Sequence, residues 1–313
     1  MKPEITDTLQ LLDLSRVQNT FDKNPQRIFT SNDLKRIVLQ QQSTWLLTPK
    51  SPEEAKELLD THQAIAIDSL TSRAITSAIV KETPLQKITF PFPYRTVIRF
   101  AWGDVPTFQL IQSVEPEGYF THFTALQFHG LTQQIPKTIY FNDEQHTTGG
   151  GANLTQHGLD NAFKGKCRIS QNVIDFRDYK VCRVNGRHTG QLGVITPRFF
   201  DGSEVRVTNL ERSLIDATVR PAYSGGIFEV AHAYKAAAPD LSIPRLINML
   251  PDLNFVYPYH QAIGYYLQRS GCFSESDLAP LRDLEMAFDF YLDYGIRNKE
   301  YVSEWRLFIP QRF

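Results

Sequence analysis

The chain has 313 residues, with 33 lysines and arginines against 34 aspartates and glutamates and a formal charge of −1. A hydrophobic content of 42% and an aromatic content of 12% suffice for a sizeable core, which excludes wholesale disorder. No stretch reaches the ~20 apolar residues of a membrane span.

At roughly 100–200 residues per domain, two domains are expected. The opening segment Met1–Gln10 carries Glu4 and Asp7 and has no apolar signal core, which speaks against secretion. Cys167, Cys182 and Cys272 form no CxxC pair, which fits a reducing compartment and argues against a cysteine-built zinc site. The expectation is a soluble cytoplasmic protein without a membrane partner. Charge is uneven along the chain: the net is +4 over 69–100, +5 over 164–206 and −3 from Asp240 onward. Such stretches permit a polyanion partner without requiring one.

In chain order, Thr30-Ser31-Asn32-Asp33 supplies N-cap chemistry for a helix to about Gln42. Ser51-Pro52-Glu53-Glu54 opens a second, with proline at the first helical position and acids toward the dipole. Leu70, Ala74, Ile75, Ala78 and Ile79 give helical spacing for a third, from Asp68 to about Lys81. The period then turns alternating in Leu85–Phe90 and Tyr94–Phe100, two strands joined by Pro91-Phe92-Pro93. Three helices and a ribbon are the plan of a winged helix. Arg73 and Lys81 then lie on the recognition helix, and Lys87, Arg95 and Arg99 on the wing beside phosphates.

Beyond Gly103 the pattern is that of a larger α/β domain. A helix is expected over Thr121–Leu131, a strand at Thr138–Phe141 and a mobile loop at Gly149–Gly151. Short strands follow near Lys166–Ser170, Val173–Phe176, Tyr179–Val184 and Val205–Val207. Thr208-Asn209-Leu210-Glu211 reads as a capping box for a helix to Val219, stopped by Arg220-Pro221. Helices over Ile227–Ala238, Ser242–Leu250 and Pro258–Ser270 precede a final strand at Trp305–Ile309.

Catalytic constellations are sparse: GxGxxG, GxxxxGK[ST], HExxH and GxSxG are all missing. His122 and His129 are seven apart on one helix, which favours a hydrogen-bonded structural pair over a metal pair. His260 reads as a cap or packing residue, and Cys167 and Cys182 as thiols on adjacent strands. Asp216 and Arg220 are spaced for an i,i+4 pair. Asp175, Asp201 and Glu204 are the residues on which a metal-dependent nuclease would rest.

Several runs resemble one family. Gly118-Tyr119-Phe120-Thr121-His122-Phe123-Thr124-Ala125-Leu126 with His129–Thr132, and Ile135–Asn142 with Glu144-Gln145, resemble the start of the AbiEi antitoxin domain. Val207–Asp216 and Val219–Gly226 resemble its most distinctive stretch, and Tyr257–Gly264 and Trp305–Leu307 its C-terminal segments. The resemblance runs in order from about Phe100 to Pro310. It implies an antitoxin and transcriptional autorepressor of a phage-defence module, whose partners are operator DNA and an AbiEii-like nucleotidyltransferase toxin. No enzymatic activity and no cofactor are implied. The expected fold class is α+β, with a winged helix-turn-helix DNA-binding domain over 1–104 and a larger α/β antitoxin domain over 105–313. DNA contact is expected from Arg73, Lys81, Lys87, Arg95 and Arg99. Lys164, Lys166, Arg168, Arg177 and Arg183 form a second candidate surface for DNA, RNA or toxin. The competing readings are a metal-dependent nuclease of a defence system and a protein adaptor that never touches DNA.

Overall fold

Helix caps set much of the first hundred residues, as a computed structural model of residues 10–146, 154–198 and 202–313 shows. The chain divides into two compact units, Met1–Val114 and Glu115–Phe313, whereas the sequence places the division at 104/105. The first unit runs β1 (Gln10–Asp13), α1 (Leu14–Asp22), β2 (Ile28–Phe29), α2 (Ser31–Trp45), β3 (Leu46–Leu47) and α3 (Pro52–Asp60). It continues with β4 (Ala64–Ile67), α4 (Ser72–Glu82), β5 (Leu85–Phe92), β6 (Arg95–Trp102) and α5 (Thr107–Gln112).

Thr30 and Asp33 close a reciprocal capping box on α2, and the Ser51 and Thr71 hydroxyls cap α3 and α4. The hairpin turns at Pro93-Tyr94 instead of Pro91–Pro93, and Pro91 stays in the ladder opposite Thr96. Its second strand also pairs with β2, so the sheet order is β2-β6-β5. A separate antiparallel sheet, β3-β1-β4, is built from short strands that the sequence reading did not identify. Phe21 is the hub of the core, stacked on Trp102 with centroids 4.8 Å apart and edge-on to Phe29 at 5.6 Å. The Trp102 indole donates to Asp22 at 2.8 Å and the Trp45 indole to Thr20 at 3.0 Å. Each ring therefore buries its apolar body without orphaning its N–H.

The second unit begins with β7 (Tyr119–Phe120), α6 (His122–Phe128), β8 (Thr138–Asn142), α7 (Gln156–Lys164), β9 (Val173–Phe176) and β10 (Tyr179–Val184). There follow β11 (Val194–Ile195), β12 (Val207–Thr208), α8 (Leu210–Val219), α9 (Ile227–Ala237), α10 (Ile243–Leu253) and α11 (Tyr259–Ser270). It ends with α12 (Glu275–Arg282), β13 (Phe290–Tyr291), β14 (Lys299–Val302) and β15 (Leu307–Pro310). A mixed six-stranded sheet has the order β11-β12-β7-β8-β10-β9, and a small sheet has the order β13-β15-β14. The fold is thus mixed α and β. None of the described helices is long and apolar enough to cross a membrane.

Three expectations are corrected. Lys166–Ser170 is not a strand, so Cys167 and Cys182 do not sit on neighbouring strands. Its end is tied instead by the Ser170 hydroxyl to the Arg183 carbonyl at 2.8 Å. Trp305 belongs to a 3-10 turn ahead of β15. Gly149–Gly151 lies outside the described residues.

Helix α11 is the spine of the second core. Gln261, fully buried, donates through one amide nitrogen to the carbonyls of Phe288, Trp305 and Arg306 at 3.0, 2.8 and 3.1 Å. One turn on, Gly264 faces the buried Trp305 ring, and a Cβ there would enter the ring's van der Waals surface. Gly264→Ala is therefore expected to cost ~1–3 kcal/mol of stability through overpacking, measured by urea unfolding. A neutral result would mean that Trp305 is free to move.

Candidate functional site

Helix α4 buries Ile75 and Ile79 and turns Arg73, Ser77 and Lys81 outward, four residues apart on one stripe. Arg73, Thr76 and Ser77 line a depression of about 590 Å³ with Lys35 of α2 and Lys87 of β5. Cations and hydroxyls are thus gathered on one face of the helix. Lys81 pairs with Glu82 at 3.2 Å, an exposed contact of little strength. Arg95 is exposed at the hairpin tip beside Tyr94, whose ring is 80% exposed.

Arg99 has a different setting. The register places it opposite Ile88, away from the tip, and it is half-buried. Its guanidinium donates to the carbonyls of Ser113, Ile98 and Val114 at 2.8, 2.9 and 3.1 Å. That makes it a brace for the segment after α5, whereas the sequence reading gave it a phosphate.

The second basic stretch is also divided. Lys164, Lys166, Arg168 and Arg177 are exposed. Arg183 is inward, paired with Asp143 at 2.6 Å and Glu115 at 3.3 Å, and leaves the candidate surface. Asp175 is held by Lys180 at 2.9 Å. Glu204 is exposed and Asp201 lies outside the described residues. Among the described residues no three His, Cys, Asp or Glu side chains gather as metal ligands.

The densest polar constellation lies in the second unit, around α8. Asn209 is its N-cap, accepting from the Arg212 amide at 2.9 Å, which displaces the expected Thr208 cap. Glu211, fully buried, faces α10 instead and accepts from Arg245 at 3.2 Å. Asp216 pairs with Arg212 at 2.7 Å and accepts from the Thr121 hydroxyl at 2.8 Å. The expected Asp216–Arg220 pair is not formed: α8 ends at Val219, and Arg220 donates to the Cys167 sulfur at 2.9 Å.

The remaining Arg212 contacts extend this into a network. One nitrogen donates to the Leu192 carbonyl at 2.8 Å and the Thr189 hydroxyl at 3.2 Å. The Thr189 hydroxyl in turn donates to Glu144, which also accepts from the Tyr119 hydroxyl at 2.9 Å. Burial alone would raise the Glu144 carboxyl, but donors on Thr189, Tyr119 and Gln191 outweigh it and hold the group below its usual range.

Above this network opens a cavity of about 500 Å³, lined by Thr121, His122, Asp216, Arg220, Tyr223 and Tyr259 among others. His122, at φ 52°, sits in the left-handed region at the first position of α6, edge-on to Tyr223 at 5.3 Å. Among the described residues its buried Nδ1 has no hydrogen-bond partner. His129 sits apart, its Nε2 against the Thr208 carbonyl at 2.7 Å, so the two histidines do not bond to each other. His260, in the first turn of α11, does not cap the helix, whose N-cap is Pro258.

Two outcomes follow from this packing. Asp216→Ala leaves the Arg212 charge buried and unpaired, so it is expected to cost ~3–5 kcal/mol in denaturant unfolding. Replacing both by apolar residues, Arg212→Met with Asp216→Leu, is expected to cost less than the single change. Separately, desolvation pushes the His122 imidazole down to about 4. Because the unfolded chain titrates near ~6.5, its stabilising effect is full above that pH and is lost as pH falls toward 4. The wild type is expected to lose about 3 kcal/mol more than His122→Asn between pH 7 and 4. Equal losses would mean that His122 is hydrated in the native state.

No family model and no curated protein matches the chain. Among solved structures it is similar to the crystal structure of the RV2827C protein from Mycobacterium tuberculosis, at 13% sequence identity and a TM-score of 0.51, with 96% of each chain covered. At that identity the likeness concerns the fold alone.

Proposed function

We propose that the protein is an AbiEi-type antitoxin and autorepressor that binds operator DNA through its first unit. The observation that carries this reading is the order of elements around α4. Helix α1, short strand β2, helices α2 and α4, and the β5–β6 hairpin follow one another, with β2 on the far side of β6 from β5. This order supports a winged helix reading in which β3, α3 and β4 are an insertion between its second and third helices. In that frame α4 is the recognition helix, and it turns Arg73, Ser77 and Lys81 outward. Lys87 and Arg95 stand on the wing, where phosphates pass.

The proposed activity is binding without catalysis. The toxin partner, an AbiEii-like nucleotidyltransferase, follows from the sequence resemblance over 100–310, and neutralisation is assigned to the second unit. The motif residues Thr121, Arg212, Asp216 and Gln261 of that unit are internal, so toxin contact is assigned to its exposed surface, including Lys164, Lys166, Arg168 and Arg177.

The test is a footprint of the full chain on its own upstream region, with binding followed against salt. Lys87→Ala and Arg95→Ala are each expected to weaken binding on all sequences and to reduce the slope of log affinity against log salt by about one unit. Arg73→Ala is expected to narrow the preference for operator over random DNA. Arg99→Ala is expected to act through stability, since its guanidinium is spent on carbonyls. Binding unchanged in the Arg73, Lys87 and Arg95 variants would remove the assignment.

A further inference from the structure

The cavity over α8 is more than a gap in packing. Its volume of about 500 Å³ lies within the ~300–1,000 Å³ of small-molecule sites. Its acid is already neutralised, because both Asp216 oxygens are engaged, one by Arg212 and one by Thr121. Two further guanidinium groups, Arg187 and Arg220, reach the lining, so the cavity carries an excess of positive charge.

These guanidinium groups are only partly used. Arg220 directs one nitrogen to the Cys167 sulfur and the Arg168 carbonyl. Arg187 directs one to the Asn254 carbonyl. Among the described residues, the other nitrogens of each make no hydrogen bond within the chain. A fork with an open edge is the geometry that takes a carboxylate or phosphate by two parallel bonds.

The opposite character is supplied by an aromatic wall of Tyr223, Phe255, Tyr257, Tyr259 and Tyr294. The Arg220 guanidinium lies 5.9 Å from the Tyr294 ring centre. His122, 8% exposed and with a left-handed backbone, also lines this space. Backbone strain of this kind persists where the surroundings enforce it, and it clusters at ligand sites.

We propose that this cavity binds a small organic anion carrying a planar ring, of mononucleotide size. Arg220 and Arg187 hold the anionic group, and the tyrosine wall stacks on the ring. The site belongs to the second unit alone and does not rest on the DNA-binding reading. Operator binding can therefore fail while this site stands, or the reverse.

The experiment is isothermal titration of the full chain with AMP, GMP, 4-hydroxybenzoate and inorganic phosphate, each to millimolar concentration. At least one ring-bearing anion is expected to bind more tightly than phosphate alone. Binding by a nucleotide only assigns the anionic group to a phosphate, and by the benzoate only to a carboxylate.

Arg220→Gln is expected to weaken that ligand at least tenfold. Asn185→Asp serves as a second variant that leaves the packing intact. Its exposed side chain lines the same cavity and, among the described residues, makes no hydrogen bond, so the change adds a like charge to the site without removing such a contact. It too is expected to weaken the ligand severalfold at unchanged thermal stability. If no ring-bearing anion binds at millimolar concentration, or if binding is equal in wild type and both variants, the proposal is overturned.

Discussion

The ion pair between Arg212 and Asp216 is the constraint around which the second unit is arranged. Two charges withdrawn from water cost several kcal/mol each, and their mutual attraction repays this only when the remaining donors and acceptors are also met. Three segments supply those partners. The β7–α6 junction brings Thr121, the end of β8 brings Glu144, and the loop after β10 brings Thr189 and the Leu192 carbonyl. Each of these contacts fixes a backbone position. The run Glu211-Arg212-Ser213 and Asp216, polar yet buried, is explained by what it holds together.

The same pair marks where sequence reading stops. Asp216 has an arginine four residues to either side, and spacing alone does not choose between Arg212 and Arg220. The choice is made by where the helix ends. Arg220 has left helical geometry, with φ −139° and ψ 73°, ahead of Pro221, so its side chain no longer shares the face of Asp216. The capping box failed for a related reason: with Asn209 as the cap, Glu211 falls one position short of the reciprocal site. Caps that stood ahead of unambiguous apolar spacing, at Thr30 and Ser51, were legible because nothing in the tertiary structure competes with them.

Short strands were the other blind region. β1 pairs with β3 and β4 across 34 or more residues of the first unit, only as the chain closes, Gln10 meeting Ile67 and Leu11 meeting Leu47. Two-residue strands carry no period to detect. The C-terminal motifs were legible as structural and turn out to meet each other: Gln261 and Gly264 on α11 receive the Trp305 turn.

Arginine shows why counting charge by segment misleads. Arg99 and Arg183 contribute to two positive stretches, yet one is bound to carbonyls and the other to carboxylates. Their fields are largely met within the chain, and neither is presented to a partner. Arg73 and Arg95 lie in the same stretch as Arg99 and face solvent. What separates them is register and helix phase: the first position of β6 at the tip or the fifth, one face of α4 or the other. A partner's phosphate meets guanidinium groups whose hydrogen-bonding capacity is still open. The geometry of the donors, and not the local net charge, decides which surface is available to an anion.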